Sequence, residues 1–299
     1  MQFVVNTTES GKMLKQILQN RFHFSRRMFR RLREEQRVSV NQKIVYYTSR
    51  LIEGDVVEVR LEETNEDCFI PPQKVDFTVV FEDDDILLVD KPAGLVVHPT
   101  MGYQDGTLAN GIAYHAKERG EFYLFRPVTR LDKDTSGIMV IAKHAHAHAM
   151  LSKQMKKKRY QRTYVAICHG HIAPSRGTID LPIGLSTSSI IERVIDQENG
   201  KEAITHYETL RRLKDATMVK LSLETGRTHQ IRVHLASIGH PIIGDTLYGA
   251  KDKHQWILRQ ALHAKEIEIF HPSRYEWFKW SIPMAEDMQR LAEKLTVRP

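Results

Sequence analysis

The hydrophobic pattern of the first 60 residues alternates between helical and strand periods. Leucine and isoleucine recur at three- and four-residue spacing over residues 14–18, which predicts an amphipathic helix. Ser25 can cap a second helix with apolar side chains on one face and arginines on the rest. Alternating valines at residues 37–41 and 51–59 predict two short strands. A small unit of helices and strands is therefore expected here.

Strand-like runs outnumber helical ones in the rest of the chain. Residues 62–76, which include two adjacent prolines, predict a linker. Thr107 can cap a helix, and a strand, a helix and a second strand are predicted within residues 138–165. Further strands are predicted at residues 75–89, 202–210 and 217–223. Strands of mixed spacing with few helices favour an α+β fold over a doubly wound parallel sheet.

Positive charge is concentrated near the N-terminus. The 299 residues are 41% hydrophobic and 27% charged, the composition of a soluble globular protein, and carry a formal net charge of +7. Residues 12–43 hold ten Lys/Arg and two Glu, a net charge of +8, so the rest of the chain is close to neutral. This segment favours a polyanionic partner, most simply a nucleic acid.

Several classes of protein are disfavoured by motifs that the sequence lacks. Cys68 and Cys168 have no CxxC partner, so neither a disulfide framework nor a cysteine zinc site is expected. No secretory pattern and no apolar run of roughly 18 residues is present, so a cytoplasmic protein without a membrane partner is expected. The phosphate-binding and dinucleotide-binding glycine motifs and the G-x-S-x-G elbow are also absent.

Two polar clusters are interpreted as surface features. His144, His146 and His148 lie on a predicted helix without the acid of an H-E-x-x-H motif, so they are expected at the surface and not on a metal. The acidic run at residues 82–85 is expected to be a solvated turn. No metal site is predicted.

The strongest candidate for chemistry is the loop Arg-Leu-Asp-Lys-Asp-Thr-Ser-Gly at residues 130–137. Its two carboxylates are two positions apart, whereas a glycosidase places its pair on separate elements across a sugar. Asp134, with the hydroxyl side chains that follow it, can shape the turn by hydrogen bonds to the backbone. Asp132 is then the reactive candidate, although from this loop alone a structural turn aspartate is equally compatible.

Two later segments carry further candidates. Tyr164 begins an apolar strand just after the basic residues 156–159, and a core tyrosine is the simplest structural interpretation. After Gly226, Thr228 can cap a helix in which His229 and Arg232, three positions apart, share one face.

Four segments resemble, in the same order, the motifs of the RluA-type pseudouridine synthases. They are Asp-Lys-Pro-Ala-Gly at 90–94, the loop at 130–137, Arg-x-Tyr-x-Ala-x-x-x-Gly at 162–170, and TGRTHQIRVH…GHPIIGDTLYG at 225–249. The N-terminal unit is similar to the S-four-like RNA-binding domain, which makes the layout similar to the RluD-like synthases of large-subunit ribosomal RNA. Arg162 replaces the usual lysine, and Thr129 stands where many relatives have histidine, which is expected to alter loop packing without abolishing activity.

The resemblance implies an α+β pseudouridine synthase fold, with a mixed, mainly antiparallel sheet, flanking helices and a central catalytic cleft, plus a small N-terminal α/β RNA-binding domain. The expected division is 1–62 for the S-four-like domain, 63–76 for the linker and 77–299 for the catalytic domain.

For the reaction, the resemblance implies that Asp132 is the nucleophile in an isomerisation without metal or cofactor. It makes Arg232 the cation that pairs with this carboxylate. Tyr164 would stack on the target base and is a candidate for the final deprotonation at carbon 5. Attack on the anomeric carbon, glycal formation and addition to the base all remain open.

The implied partner is a structured RNA, with ribosomal RNA favoured and transfer RNA as the alternative, bound by a monomer. The target uridine must leave its stack, and Arg130 is a candidate to fill the gap. The other side chains expected to contact RNA are Arg26, Arg27, Arg30, Arg31, Arg227 and His229.

Two rival interpretations remain. A non-catalytic RNA-binding or ribosome-assembly protein of the same fold is disfavoured by the intact Asp132, Tyr164 and Arg232. A hydrolase with an aspartate nucleophile would leave the basic N-terminal domain unexplained.

Overall fold

Two large, separate hydrophobic cores organise the described residues, beside a third small cluster of Ile183, Ala203 and Val233. The computed structural model describes residues 1–22, 24, 32, 36–60, 70–249 and 256–296. The smaller core collects apolar side chains between residues 3 and 59, and the larger one collects them between residues 86 and 295. Separate cores are what two domains require, because each domain buries its own apolar surface. The boundaries at 62 and 76 stay predictions.

Among the described residues of the N-terminal unit, one helix packs on a four-stranded antiparallel sheet. Helix α1 (Leu14–Phe22) buries its leucines and Ile17 and so confirms the predicted helix. The strands are β1 (Gln2–Val4), β2 (Val38–Val40), β3 (Lys43–Ile44) and β4 (Val56–Val59), in the order β1-β4-β2-β3. The predicted second helix, with Ser25 as its cap and the arginines 26, 27, 30 and 31, lies outside the described residues.

The larger unit is built on one mixed sheet. Its strands are β5 (Thr78–Glu82), β6 (Ile86–Lys91), β7 (Ser136–Ala142), β8 (Gln161–His169), β9 (Arg176–Asp180), β12 (Ile204–Leu213), β13 (Ala216–Leu223), β14 (Leu262–Phe270) and β15 (Trp277–Ser281). The order is β5-β6-β7-β14-β8-β13-β12-β9, with β15 beside β14, and all pairs are antiparallel except β7 with β14. A separate hairpin joins β10 (Ile183–Leu185) to β11 (Arg193–Ile195).

The helices of this unit are α2 (Leu108–Glu118), α3 (Ala145–Lys156), α4 (Gln230–Ser237) and α5 (Glu286–Lys294). Thr107 is the N-cap of α2, as predicted. The N-cap of α4 is His229, one residue after the predicted Thr228. Helices beside a mainly antiparallel sheet confirm the α+β class. Among the described helices, none is long and apolar enough to cross a membrane.

The register of the sheet brings two of the sequence motifs into one row. Gly137 of β7 lies opposite Ala264 of β14, which in turn lies opposite Tyr164 of β8. Gly137 has a φ of +122°, and a Cβ there would be 2.3 Å from the carbonyl oxygen of Ala264. The glycine of the 130–137 loop is therefore required for the close approach of β7 and β14. That approach sets the distance between the loop and Tyr164.

Candidate active site

Asp132 lies in the loop that leads into β7. The loop turns back on itself, because the Thr135 backbone N–H donates to the Asp132 carbonyl oxygen at 3.1 Å. The Asp132 carboxylate accepts a hydrogen bond from Arg232 Nη1 at 3.1 Å, which confirms that these two residues meet. They are 100 positions apart in sequence, so the contact depends on the tertiary fold.

Arg232 is itself fixed from behind by Asp245. Its Nε and Nη2 donate to the two carboxylate oxygens of Asp245 at 2.6 and 2.9 Å, a bidentate pair. Burial raises the pKa of Asp245, but the hydrogen bonds and charge of Arg232, with the Leu247 and Tyr248 backbone N–H groups, more than offset this and lower the pKa overall. Asp245 is therefore a carboxylate at neutral pH, and the bidentate pair holds the Arg232 side chain in one position.

Exposure falls along this chain of charges. The side chain is 27% exposed at Asp132, 8% at Arg232 and 0% at Asp245. A substrate approaching from solvent therefore meets the Asp132 carboxylate first, with a fixed guanidinium behind it. This is the arrangement that a carboxylate nucleophile or base needs, because its charge is stabilised without being covered.

Helix α4 holds Arg232 in place because its other face is fastened to β12. The Gln230 amide donates to Ile204 O at 3.0 Å and to Thr205 Oγ1 at 3.1 Å. The buried His234 ring contacts Thr205 Oγ1 and Leu181 O, both at 2.9 Å. The sequence predicted His234 on the buried face, and the structure confirms it. Arg232 consequently points towards the Asp132 loop.

Tyr248 and His229 form one wall of the site. The Arg232 guanidinium lies 5.0 Å from the centre of the Tyr248 ring, and His229 Nδ1 is 2.8 Å from the Tyr248 hydroxyl. His229 Nε2 is 3.8 Å from Asp132 Oδ2. His229 adopts a left-handed φ of +59°, uncommon for a residue with a side chain. Burial lowers the pKa of His229, although the Asp132 charge opposes this, so the ring is neutral at pH 7.

Tyr164 lies in the larger core and is only 6% exposed. Burial raises the pKa of its phenol, and the nearby Asp132 charge adds to this effect, whereas Arg162 opposes it. Arg162, which replaces the usual lysine, donates from Nη2 to Thr225 O at 3.3 Å and packs against Gly226. The charge of Asp132 thus acts on the Tyr164 phenol.

Lys91 is a buried cation of this site that the sequence did not single out. Its side chain is 0% exposed, and Nζ donates to the carbonyl oxygens of Pro92, Leu95 and Lys133 at 2.8, 3.0 and 2.9 Å. The three bonds use all three hydrogens of an ammonium group. Because Lys133 follows Asp132, Lys91 ties the loop to β6. Only its place in the Asp-Lys-Pro-Ala-Gly segment could have drawn attention to it.

The burial of Lys91 leads to a pH-dependent stability. Burial lowers the pKa of Lys91 from 10.5 to about 7, against the opposing charges of Asp134 and Asp132. Between these two values the unfolded chain binds more protons at Lys91 than the folded chain does. The contribution of Lys91 to the free energy of unfolding therefore increases as the pH rises from 7 towards 10.5. Below pH 7 the full cost of burying the charge is present.

Urea unfolding of the wild type and of Lys91→Met at pH 7 and at about pH 9.5 measures this effect. We expect the stability advantage of the wild type over Lys91→Met to be larger at the higher pH. Lys143→Met is the matched control. Glu121 and Glu82 outweigh the effect of burial and raise the pKa of Lys143, so this lysine keeps its proton over the whole range. The difference in stability between the wild type and Lys143→Met should therefore not grow with pH. A flat difference for Lys91 would contradict the lowered pKa.

The predicted RNA contacts occupy different positions. Arg130 is exposed at the start of the Asp132 loop, and Arg227 is exposed with Nε donating to Glu202 O at 2.9 Å. His229 lies inside the site against Asp132. Arg26, Arg27, Arg30 and Arg31 lie outside the described residues. The structure thus brings His229 together with Asp132 and Arg232 and leaves Arg130 and Arg227 exposed.

A second polar cluster corrects two expectations. Asp85 and His146 are buried, at 7% and 5% exposure, and not solvated as expected, whereas Asp84 is exposed and His144 and His148 are half-buried. Within the described ranges, Asp83, Asp85 and His271 form a group with the donor types of a metal site. Their oxygens already meet other groups, however, with Arg274 Nη2 3.3 Å from Asp83 and His144 Nε2 3.0 Å from Asp85. We interpret the cluster as a structural polar network.

The chain is similar to known proteins over both of its units. A family model described as RNA pseudouridylate synthase matches residues 85–237, and one described as RluD ribosomal pseudouridine synthase N-terminal domain matches residues 1–57. The uncharacterised RNA pseudouridine synthase YhcT of Bacillus subtilis is 39% identical over 97% of this chain and 96% of its own length. The ribosomal large subunit pseudouridine synthase D of Pseudomonas aeruginosa is 43% identical over 72% of this chain and 70% of its own length. The solved structure of human RNA pseudouridylate synthase domain containing 1 aligns over its full length with 77% of this chain, with a TM-score of 0.56 and 27% identity.

The fold, the site and these matches define an enzyme that isomerises uridine in RNA to pseudouridine. The chain belongs to the RNA pseudouridylate synthase family, and within it to the RluA-type synthases with an RluD-like N-terminal domain. This confirms the family, the fold class and the enzyme class predicted from sequence. The non-catalytic and hydrolase interpretations are set aside.

Proposed function

We propose that this enzyme modifies large-subunit ribosomal RNA with Asp132 as its catalytic carboxylate. The observation that carries the catalytic assignment is the chain of charges in which Asp132 stays accessible and Arg232 is locked between it and the buried Asp245. The N-terminal match and the relatives named for the ribosomal large subunit favour ribosomal over transfer RNA.

In the proposed mechanism the target uridine is flipped out of its stack, because a base inside a helix cannot reach Asp132. Arg130, exposed beside the loop, would fill the gap. Asp132 then drives cleavage of the bond between ribose and uracil nitrogen 1, the base turns, and carbon 5 joins the sugar. Carbon 5 loses its proton, and nitrogen 1 gains one. Arg232 stabilises negative charge on Asp132 whenever the carboxylate is free.

We assign Tyr164 to stacking against the target base. Burial raises the pKa of its phenol, so Tyr164 is protonated at neutral pH and would have to lose that proton before it could accept one from carbon 5. The Tyr164 backbone is held in the sheet row with Ala264 and Gly137, which supports a fixed position relative to the Asp132 loop.

The proposed substrate is tested by mapping pseudouridines in total RNA from cells with and without this gene. A ribosomal uridine that loses its mark on deletion, and regains it with the wild type but not with Asp132→Asn, supports the proposal. A lost mark in transfer RNA would replace the proposed substrate with the alternative.

We also expect that the enzyme acts in the cytoplasm, where ribosomes are, and that it is a monomer. Sedimentation of the purified chain as a dimer would contradict the monomer.

We further propose that the basic N-terminal domain supplies phosphate contacts that do not depend on sequence. Removing residues 1–62 is expected to weaken binding of ribosomal RNA at least about tenfold and to flatten its salt dependence. The single-turnover rate at saturating RNA should change much less. A full-length variant with glutamine at Arg26, Arg27, Arg30 and Arg31 is the matched control for loss of charge without truncation. Equal losses in binding and rate would contradict this division of labour.

A further inference from the structure

An ion pair between the buried Arg259 and Asp287, whose side chain is 34% exposed, lies outside the matched catalytic family model and contacts the Asp132 loop. That family model ends at residue 237, and Arg259 and Asp287 come later in the chain. The Arg259 side chain is 8% exposed, and its Nε and Nη2 donate to the two oxygens of Asp287 at 2.6 and 2.7 Å. Asp287 lies in the first turn of α5, where the helix dipole favours a carboxylate.

The remaining nitrogen of Arg259 binds backbone near the nucleophile. Nη1 lies 3.2 Å from the carbonyl oxygen of Asp134 and 3.1 Å from that of Leu262. Arg259 therefore joins three separate pieces of chain, namely α5, the start of β14 and the loop that carries Asp132. Burial raises the pKa of Asp287, but hydrogen bonds from Arg259 outweigh it and lower the pKa overall, so the pair is ionised.

The residues after Arg259 continue this contact along the loop. Gln260 Nε2 donates to Thr135 Oγ1 at 3.1 Å, and His263 Nδ1 is 2.9 Å from Ser136 Oγ. Lys91 binds the Lys133 carbonyl oxygen in the same way. Each residue from 133 to 136 thus has a hydrogen-bond partner outside the loop. Arg259 is the member of this set that is held in turn by another element, through Asp287.

We propose that Arg259 and Asp287 are positioning residues for catalysis: α5, through Asp287, orients Arg259, and Arg259 fixes the backbone that carries Asp132. This rests on the proposed role of Asp132. A misplacement of about 1 Å at a reacting group can cost about 100-fold in rate, so a link two residues from the carboxylate has catalytic consequences. We expect RNA binding to be unaffected, because the Arg259 side chain is buried and both oxygens of Asp287 are already bound by Arg259.

The test compares full-length Arg259→Gln and Asp287→Asn with Glu293→Gln, which makes the same acid-to-amide change at an exposed position of α5. Single-turnover rates and Kd are measured with ribosomal RNA from cells that lack the gene. We expect the two pair variants to lose about 10- to 100-fold in rate with Kd within about twofold, and the control to keep its rate. The double variant should be no slower than the slower single one, since both act through one contact.

Thermal unfolding and amide exchange separate positioning from stability. The slow variants should remain folded at the assay temperature, and exchange of the Thr135 amide should increase while that of β7 does not. Rates for both pair variants within about twofold of wild type, or losses matched by unfolding of Asp287→Asn at the assay temperature, would overturn the proposal. Asp132→Asn is run in parallel: if it keeps activity, the proposed function fails, whereas if it alone is inactive, only this inference fails.

Discussion

Asp132→Asn is expected to lower the single-turnover rate of pseudouridine formation by about 10⁴-fold or more. The amide cannot act as nucleophile or base, whereas its size and its hydrogen bond from Arg232 can be kept. The variant should therefore fold and bind ribosomal RNA like the wild type. The rate is measured at saturating RNA by quantifying pseudouridine in digested product, and Kd is measured separately.

The matched control for this result is Asp134→Asn, which removes a carboxylate from the same loop. In the structure Asp134 contributes its backbone carbonyl to Arg259, and a substitution of the side chain leaves that carbonyl in place. We expect its rate to stay within about tenfold of wild type. If Asp134→Asn were inactive and Asp132→Asn active, the two carboxylates would have to exchange roles.

Arg232→Gln is expected to be damaging in two ways. It leaves Asp245 at 0% exposure without its cation, and removal of one member of a buried ion pair costs about 3–5 kcal/mol of unfolding free energy. It also removes the fixed charge behind Asp132. Arg232→Lys keeps the charge, but a single ammonium cannot bridge two carboxylates as the guanidinium fork does, so we expect about 100-fold lower activity with a smaller loss of stability.

The stability loss of Arg232→Gln should depend on pH in a defined direction. In the wild type the lowered pKa of Asp245 contributes stability that is present above its ordinary value of 3.8 and is lost as the pH falls through the lowered pKa. In the variant Asp245 is still buried and keeps its backbone donors, but it has lost its cation. Protonation of Asp245 at lower pH removes the cost of burying an unpaired charge. Urea unfolding should show the two proteins converging as the pH falls from 7 towards 4. Arg290→Gln, at an exposed position of α5, should show neither effect, and a pH-independent gap would contradict this account.

The local pattern predicted the elements around the site because helix and strand periods are properties of neighbouring residues. The α2 cap at Thr107, the strand, helix and strand within 138–165, and the buried face of α4 were all visible in this way. The sequence was less reliable where burial depends on distant residues. Asp85 and His146 appeared polar enough to be solvated, but both are buried, Asp85 with His144 and His146 against the Phe24 ring.

The sequence by itself determined the family, the enzyme class and the three residues most open to a chemical role, because these follow from motifs within short segments. It also indicated a basic N-terminal unit, since charge can be counted along the chain. Only the tertiary structure decided which groups support the candidate carboxylate. Asp245 behind Arg232, Lys91 on the loop carbonyl and the Arg259–Asp287 pair are brought there by sheet register and helix docking, which couple positions that no local pattern connects.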